Sequence, residues 1–245
     1  NLMADYKGIK GFKVQSLSAD PAASQMAGGA WSSGGNLNIT SIGRAGFGTQ
    51  TDAYACGGES PGSTILANVE NYNGSGVTES WNGTSWTEVN DLNTARRYMA
   101  STTSGTNTAV LAFGGLSPSA TAVTEQWNGT SWTEVNDLNT ARYGQGGFGT
   151  TTAAISASGA SPPISNVESW NGTSWTEVND VNTARRGLGS SGNATDGLVF
   201  GGDNPSLNAE TESFDGTSWT EVGDLSTARA YGATGGITSA TEALF

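Results

Sequence analysis

The chain has 245 residues, of which 13% are charged, 35% are hydrophobic and 36 are glycine, and it carries a formal charge of −12. Few Leu, Glu and Lys are present for helices, while Trp, Val, Thr and abundant turn residues suit an all-β chain of one large domain, two ordinary ones or a single repeat array. The charge opposes nucleic acid and anionic membrane, the lack of histidine removes the commonest metal ligand and general base, lone Cys56 permits no intramolecular disulfide, and no apolar run reaches the ~18 residues of a bilayer span.

In chain order, residues 1–26, NLMADYKGIKGFKVQSLSADPAASQM, hold all three lysines and belong to no repeat. They read as a separate leader, with Tyr6, Lys7, Lys10, Phe12 and Lys13 as a candidate attachment arm, or as a peptide arm packing beneath the rest. No charged-then-apolar signal peptide opens the chain, and its first residue, Asn1, fits a processed product or a segment of something larger.

Residues 27–42, GGAWSSGGNLNITSIG, lead into Arg44 much as ESWNGTSWTEVNDLNT leads into Arg96, with Trp31 in the place of Trp81. The dominant repeat follows: ESWNGTSWTEVNDLNTAR ending at Arg96, EQWNGTSWTEVNDLNTAR at Arg142, ESWNGTSWTEVNDVNTAR at Arg185 and ESFDGTSWTEVGDLSTAR at Arg229, at spacings of 46, 43 and 44 residues. Such a period with strand-like segments indicates propeller blades, because one four-stranded sheet cannot bury both faces without neighbours.

Within the second unit the expected strands are Arg97 to Ser104, Thr108 to Phe113, Ala122 to Trp127 and Ser131 to Val135. Asn128 and Gly129 form the last turn, a pair that supplies positive φ at both positions of a tight hairpin. The aromatic pairs Trp81 and Trp86, Trp127 and Trp132, Trp170 and Trp175, and Phe214 and Trp219 should pack between adjacent sheets. Blades start near Arg44, Arg96, Arg142, Arg185 and Arg229, and the last stops at Phe245 after two strands. Residues 27–42 are expected to supply its other two, so that residues 27–245 close five blades and remove two sheet edges.

These residues resemble the kelch repeat, whose units carry a double glycine after the second strand, an aromatic before a turn and a Trp about six residues on. Here Gly57 and Gly58, Gly114 and Gly115, and Gly201 and Gly202 take the glycine positions, with Gly159 and Ala160 in the third unit. The stretch GFKVQSLSADP followed by GGAW, and the near-identical WNGTSW repeats, resemble virion proteins of tailed and marine bacteriophages. That resemblance implies a non-enzymatic structural or binding module in a virion, as head fibre, decoration or tail-fibre protein. Its implied partners are other virion proteins and host-surface polysaccharide, and an oligomer in the particle is compatible with it. The alternatives are a secreted bacterial kelch adhesin and a carbohydrate-active propeller.

No motif points to a catalytic residue, cofactor or metal. Gly144, Gly146 and Gly149 satisfy G-x-G-x-x-G, but a dinucleotide site needs a following helix. The arginines Arg44, Arg96, Arg142, Arg185 and Arg229 recur in every unit, as expected of residues that tie neighbouring blades together. Glu88, Glu134, Glu177 and Glu221 recur likewise and should point outward on edge strands, where charge blocks edge pairing. A glycosidase would need two carboxyls about 5 to 10 Å apart. Asn82, Asn128 and Asn171 head N-x-S/T triplets explained as turns, SFDGTSW around Asp215 is one residue short of a sialidase-type Asp-box, and Cys56 reads as a small buried hydrophobe.

What varies between units is the segment after the double glycine: residues 59–78, 116–121, 161–166 and 203–209. Divergent loops on a repeated scaffold form recognition surfaces. The longest contains Ile65, Leu66, Val69 and Tyr72, a candidate partner-binding loop or an extra hairpin over a blade.

Overall fold

Each repeat places short Thr-, Val- and Trp-rich runs between glycines and asparagines, and every such run forms a strand of three to five residues or a shorter pairing. The computed structural model describes residues 45–49, 52–56, 78–82, 84–103 and 108–231. The chain divides into two compact units, Asn1–Gly34 and Gly35–Phe245, and all described residues lie in the second. The candidate arm (Tyr6, Lys7, Lys10, Phe12, Lys13) and the candidate loop residues Ile65, Leu66, Val69 and Tyr72 lie outside the described residues.

Among the described residues there is no helix, and four four-stranded antiparallel sheets follow one another. The first holds β1 (Ala45–Thr49), β2 (Asp52–Cys56), β3 (Thr78–Trp81) and β4 (Trp86–Val89). The second holds β5 (Ala100–Ser101), β6 (Val110–Phe113), β7 (Thr124–Trp127) and β8 (Trp132–Val135). The third holds β9 (Gly146–Gly149), β10 (Ala154–Ala157), β11 (Val167–Trp170) and β12 (Trp175–Val178). The fourth holds β13 (Gly189–Asn193), β14 (Asp196–Phe200), β15 (Thr211–Phe214) and β16 (Trp219–Glu221). Strands pair in simple sequence order, and β1 touches β5, β5 touches β9 and β9 touches β13, so the first strands stand together while the fourth strands form outer edges. This arrangement is propeller-like.

The core lies between sheets rather than within them. One apolar cluster joins Ala45 and Cys56 to Met99, Val110, Ala112, Trp127 and Trp132; the next joins Leu111 and Phe113 to Ala154, Trp170 and Trp175; the third joins Phe148, Ile155 and Val167 to Val199, Phe214 and Trp219. Trp127 and Trp132 meet at 5.3 Å between ring centroids, Trp170 and Trp175 at 5.4 Å, and Phe214 and Trp219 at 4.8 Å. Burial of a ring of this size at about 25 cal/mol per Å² is worth several kcal/mol before entropy, so a lone sheet without its neighbour loses most of its core.

The first strands approach closely because their side chains are small. A Cβ at Gly147 of β9 would lie 2.7 Å from the Ala100 Cβ of β5, and the same closeness extends to a second strand, where a Cβ at Gly197 of β14 would lie 2.3 Å from Cε2 of Phe148. Gly197→Ala must displace that buried ring, and a cost of about 1–3 kcal/mol is expected from overpacking. Chemical denaturation of the variant measures it.

Three local expectations are corrected. The WNGTSW hairpin is a four-residue loop in which Trp127 pairs with Trp132, and only the glycine has positive φ (93° at Gly129). The Asn128 Oδ1 instead accepts from the N–H groups of Thr130 and Ser131, both at 2.9 Å, a side-chain turn that does not need a left-handed asparagine. In the third unit the positions of Gly114 and Gly115 are taken by Ser158 and Gly159, not by Gly159 and Ala160, since Ala157 ends β10 as Phe113 ends β6. Ser158 adopts φ 62° and anchors itself through Oγ to the carbonyls of Ile164 and Arg185.

The third correction concerns Arg44. Strand pairing sets Ala45 opposite Cys56 as Ala100 is opposite Phe113, so Arg44 directly precedes its strand whereas Arg96, Arg142 and Arg185 precede theirs by four residues. Arg44 is therefore not the counterpart of those arginines.

Candidate functional site

Of the repeated arginines, Arg96, Arg142 and Arg185 are structural, whereas Arg229 is exposed and bonds the Thr227 carbonyl of its own turn. Arg96 leaves the segment between β4 and β5 and meets Glu125, second residue of β7; Arg142 meets Glu168 of β11 at 2.6 Å; and Arg185 meets Glu212 of β15 at 3.1 Å and Glu210 at 3.0 Å. Arg96, Arg142, Arg185, Glu125 and Glu168 are fully buried. Each carboxylate also gathers the preceding turn: Glu168 accepts from Asn139 N at 2.7 Å, Asn139 Nδ2 at 2.8 Å and Thr140 N at 3.1 Å. The same set recurs on Glu125 and Glu212. Burial pushes the guanidinium pKa of Arg142 and of Arg185 below the usual value, against the pull of their carboxylates. A carboxylate holding four donors inside the fold has no lone pair to offer a substrate.

This clamp ties each inter-sheet connection to the third strand of the sheet that follows. Sequence reading found the arginines and missed Glu125, Glu168 and Glu212. The available signal was the E of E-S/Q-W/F, repeated two residues before an aromatic and so on the same strand face as that buried ring. Glu88, Glu134, Glu177 and Glu221 are exposed, on strands β4, β8, β12 and β16 of separate sheets.

A second inter-sheet bond uses the tryptophan indoles. Trp132 Nε1 donates to Thr78 Oγ1 and Trp175 Nε1 to Thr124 Oγ1, both at 3.1 Å. In the third sheet the threonine position is Val167, and Trp219 Nε1 turns to the Asn179 carbonyl at 3.0 Å. Thr124→Val is accordingly expected to cost only about 1 kcal/mol, a typical net hydrogen bond, with the Trp175 indole moving to the Asn136 carbonyl. A melting curve and the indole N–H resonance check both halves.

The variable side of the molecule is built differently. Loop residue Leu116 bridges to Arg97, and loop residue Asp203 bridges to Arg186, so the loops between second and third strands fold over the connections that enter the first strands. On that face runs a backbone ladder: Gly144 N donates to the Tyr98 carbonyl at 2.8 Å, Gly187 N to Gly144 at 2.7 Å and Tyr231 N to Gly187 at 2.8 Å. All four residues have positive φ (53°, 65°, 66° and 58° in chain order). Glycine takes that conformation freely, while each tyrosine pays on the order of 1–3 kcal/mol for it.

The ladder curves back on itself, for the rings of Tyr98 and Tyr231 meet at 5.9 Å and 64°. Tyr231 lies across Gly187, where a Cβ would stand 2.9–3.0 Å from three of its ring atoms, and it is 51% exposed. Around the pair, the Arg97 guanidinium sits 5.7 Å from the Tyr98 ring centroid. Arg186 forks onto Asp203 (Nε to Oδ1 3.2 Å, Nη2 to Oδ2 3.3 Å) and reaches the Tyr143 hydroxyl at 3.4 Å. Asp203 raises the Arg186 pKa, and partial burial followed by Asp203 raises that of the Tyr231 phenol.

Sequence reading selected loop segment 203–209 but none of Tyr98, Tyr143, Arg186 or Tyr231, which belong to the connections. The signal lay two residues beyond each TAR triplet, where two units have glycine and two have tyrosine. Gly146 and Gly149 of the G-x-G-x-x-G match lie in β9, and Gly144 belongs to the ladder. Among the described residues no group of His, Cys, Asp and Glu is placed to hold a metal ion, and no helix is long and apolar enough to cross a membrane. No protein-family model matches the chain, and no curated protein matches it.

Proposed function

We propose that the chain is a kelch-type β-propeller of five blades that serves as a non-enzymatic binding module of a tailed-bacteriophage particle, using its loop-bearing face to recognise protein or surface glycan. The observation that carries the binding reading is the contrast between an invariant buried frame and one face whose loops differ in every repeat while tyrosine, arginine and aspartate side chains gather beneath them. Invariance in the frame is accounted for by the clamp, so only the face is left to differ for a purpose outside the fold.

Five-blade closure is supported by spacing. Trp31 precedes Ala45 by 14 residues, as Trp86 precedes Ala100 and Trp132 precedes Gly146. By this count Trp31 corresponds in sequence to the second tryptophan of a unit, Trp86 or Trp132, rather than to Trp81. Residues near it would then complete the blade begun after Arg229. The virion assignment rests on the resemblance of the leader and the WNGTSW repeats. Mass spectrometry of gradient-purified particles tests it: peptides of this chain at a fixed stoichiometry to the major shell protein are expected. Recovery only from a secreted bacterial fraction would replace it with the adhesin reading.

A further inference from the structure

From the tyrosine pair we infer a specific ligand site: Tyr98 and Tyr231, with the Arg186–Asp203 fork and the Tyr143 hydroxyl, bind a neutral hexose polymer. The inference rests on the reading of the loop-bearing face as a recognition surface and names its ligand.

The first ground is strain without a local reason. The ladder position takes glycine at Gly144 and Gly187 and tyrosine at Tyr98 and Tyr231, all with positive φ of 53–66°; the glycines both donate and accept along the ladder, while Tyr98 accepts at one end and Tyr231 donates at the other. The frame therefore accepts glycine there. Tyrosine is retained at two positions where it is conformationally costly, and both rings come together on the variable face. Strain of this kind, where the fold does not demand it, marks a functional position.

The second ground is shape. Tyr231 has one ring face laid on the backbone at Gly187 and meets the Tyr98 ring at 64°, yet it remains half exposed. A flat aromatic backed by main chain is a platform for the C–H face of a sugar ring, whose positive edge hydrogens meet the negative ring face.

The third ground is polarity. The Arg186–Asp203 fork sets a carboxylate beside a guanidinium, each keeping hydrogen-bonding capacity beyond the two bonds that join them, and Tyr143 adds a hydroxyl. Vicinal sugar hydroxyls, each both donor and acceptor, match that alternation, as convergent polar groups fix orientation in ligand sites. The formal charge of −12 disfavours an acidic polymer.

Affinity electrophoresis of the full chain in gels containing dextran, galactomannan or galactan tests this, alongside thermal melting. Retardation by at least one polymer is expected. The Y98G/Y231G variant is expected to lose at least tenfold in affinity while its Tm stays within about 3 °C, because relief of left-handed tyrosine offsets the lost ring contacts. Asp203→Asn, which keeps the loop backbone, is expected to weaken binding several-fold.

Retardation unchanged in Y98G/Y231G overturns the tyrosine site but leaves face recognition standing if Asp203→Asn weakens it. A Tm lower by more than 10 °C overturns the site by making the pair structural. No retardation by any polymer overturns the sugar assignment. Release of new reducing ends overturns the non-enzymatic reading itself.

Discussion

Replacing Glu168 by alanine is expected to destabilise the protein by about 3–5 kcal/mol, the cost of leaving a buried charge without its partner. Arg142 and Glu168 are both fully buried and the carboxylate is its counter-ion at 2.6 Å. The damage exceeds one ion pair, because Asn139 N and Thr140 N lose their acceptor as well. For that reason Arg142→Met combined with Glu168→Leu is not expected to restore stability, although hydrophobic replacement often rescues isolated buried pairs. The orphaned N–H groups alone cost about 1–3 kcal/mol each if kept from water. Urea denaturation of the two variants measures both effects, and hydrogen exchange should show the loss centred on residues 139–142 and β11.

Trp175→Ala is expected to be of similar size, about 3–5 kcal/mol. Trp175 fills the seam between the second and third sheets, 4.9 Å from Phe113 and 5.4 Å from Trp170 by ring centroids, and its indole bonds Thr124 across the seam. Its removal opens a cavity where two sheets meet, so the expected consequence is separation of neighbours rather than local fraying. Trp175→Phe keeps most of the apolar contact and loses the indole bond, and should cost clearly less. Calorimetry of the pair distinguishes seam packing from the hydrogen bond.

Much of this frame was legible in the sequence. Strand order within each unit followed from the alternation of Trp, Val and Thr runs with glycine and asparagine, since those residues have few other stable arrangements. Inter-sheet packing of the tryptophans followed from their recurrence once per unit. The clamp was half legible: Arg142 repeats, but its partner Glu168 lies 26 residues further on and is joined to it only by the fold. The turn chemistry of Asn128 was misjudged because Asn-Gly suits two kinds of hairpin, and the choice depends on where Trp127 and Trp132 pair.

The candidate site was harder to read because its residues come from different units. Tyr98 and Tyr231 stand two residues past a TAR triplet and Tyr143 and Arg186 one residue past, but at each of those positions the residue type changes between units, and Asp203 comes from a loop. They meet because a ladder of positive-φ residues bends the connections toward one another. Arg44 shows the converse error, a residue of the right type three positions from the right register in sequence.

The proposed five-bladed ring, with the repeated clamp between its sheets and one variable face, is tested most directly by a side-chain-resolution density map of the isolated chain. The expected map has five sheets about one axis, the segment around Trp31 forming an outer strand in the sheet begun after Arg229, and Tyr98 and Tyr231 together at one mouth. An open arc of four sheets, or a sixth sheet contributed by another copy of the chain, would contradict it.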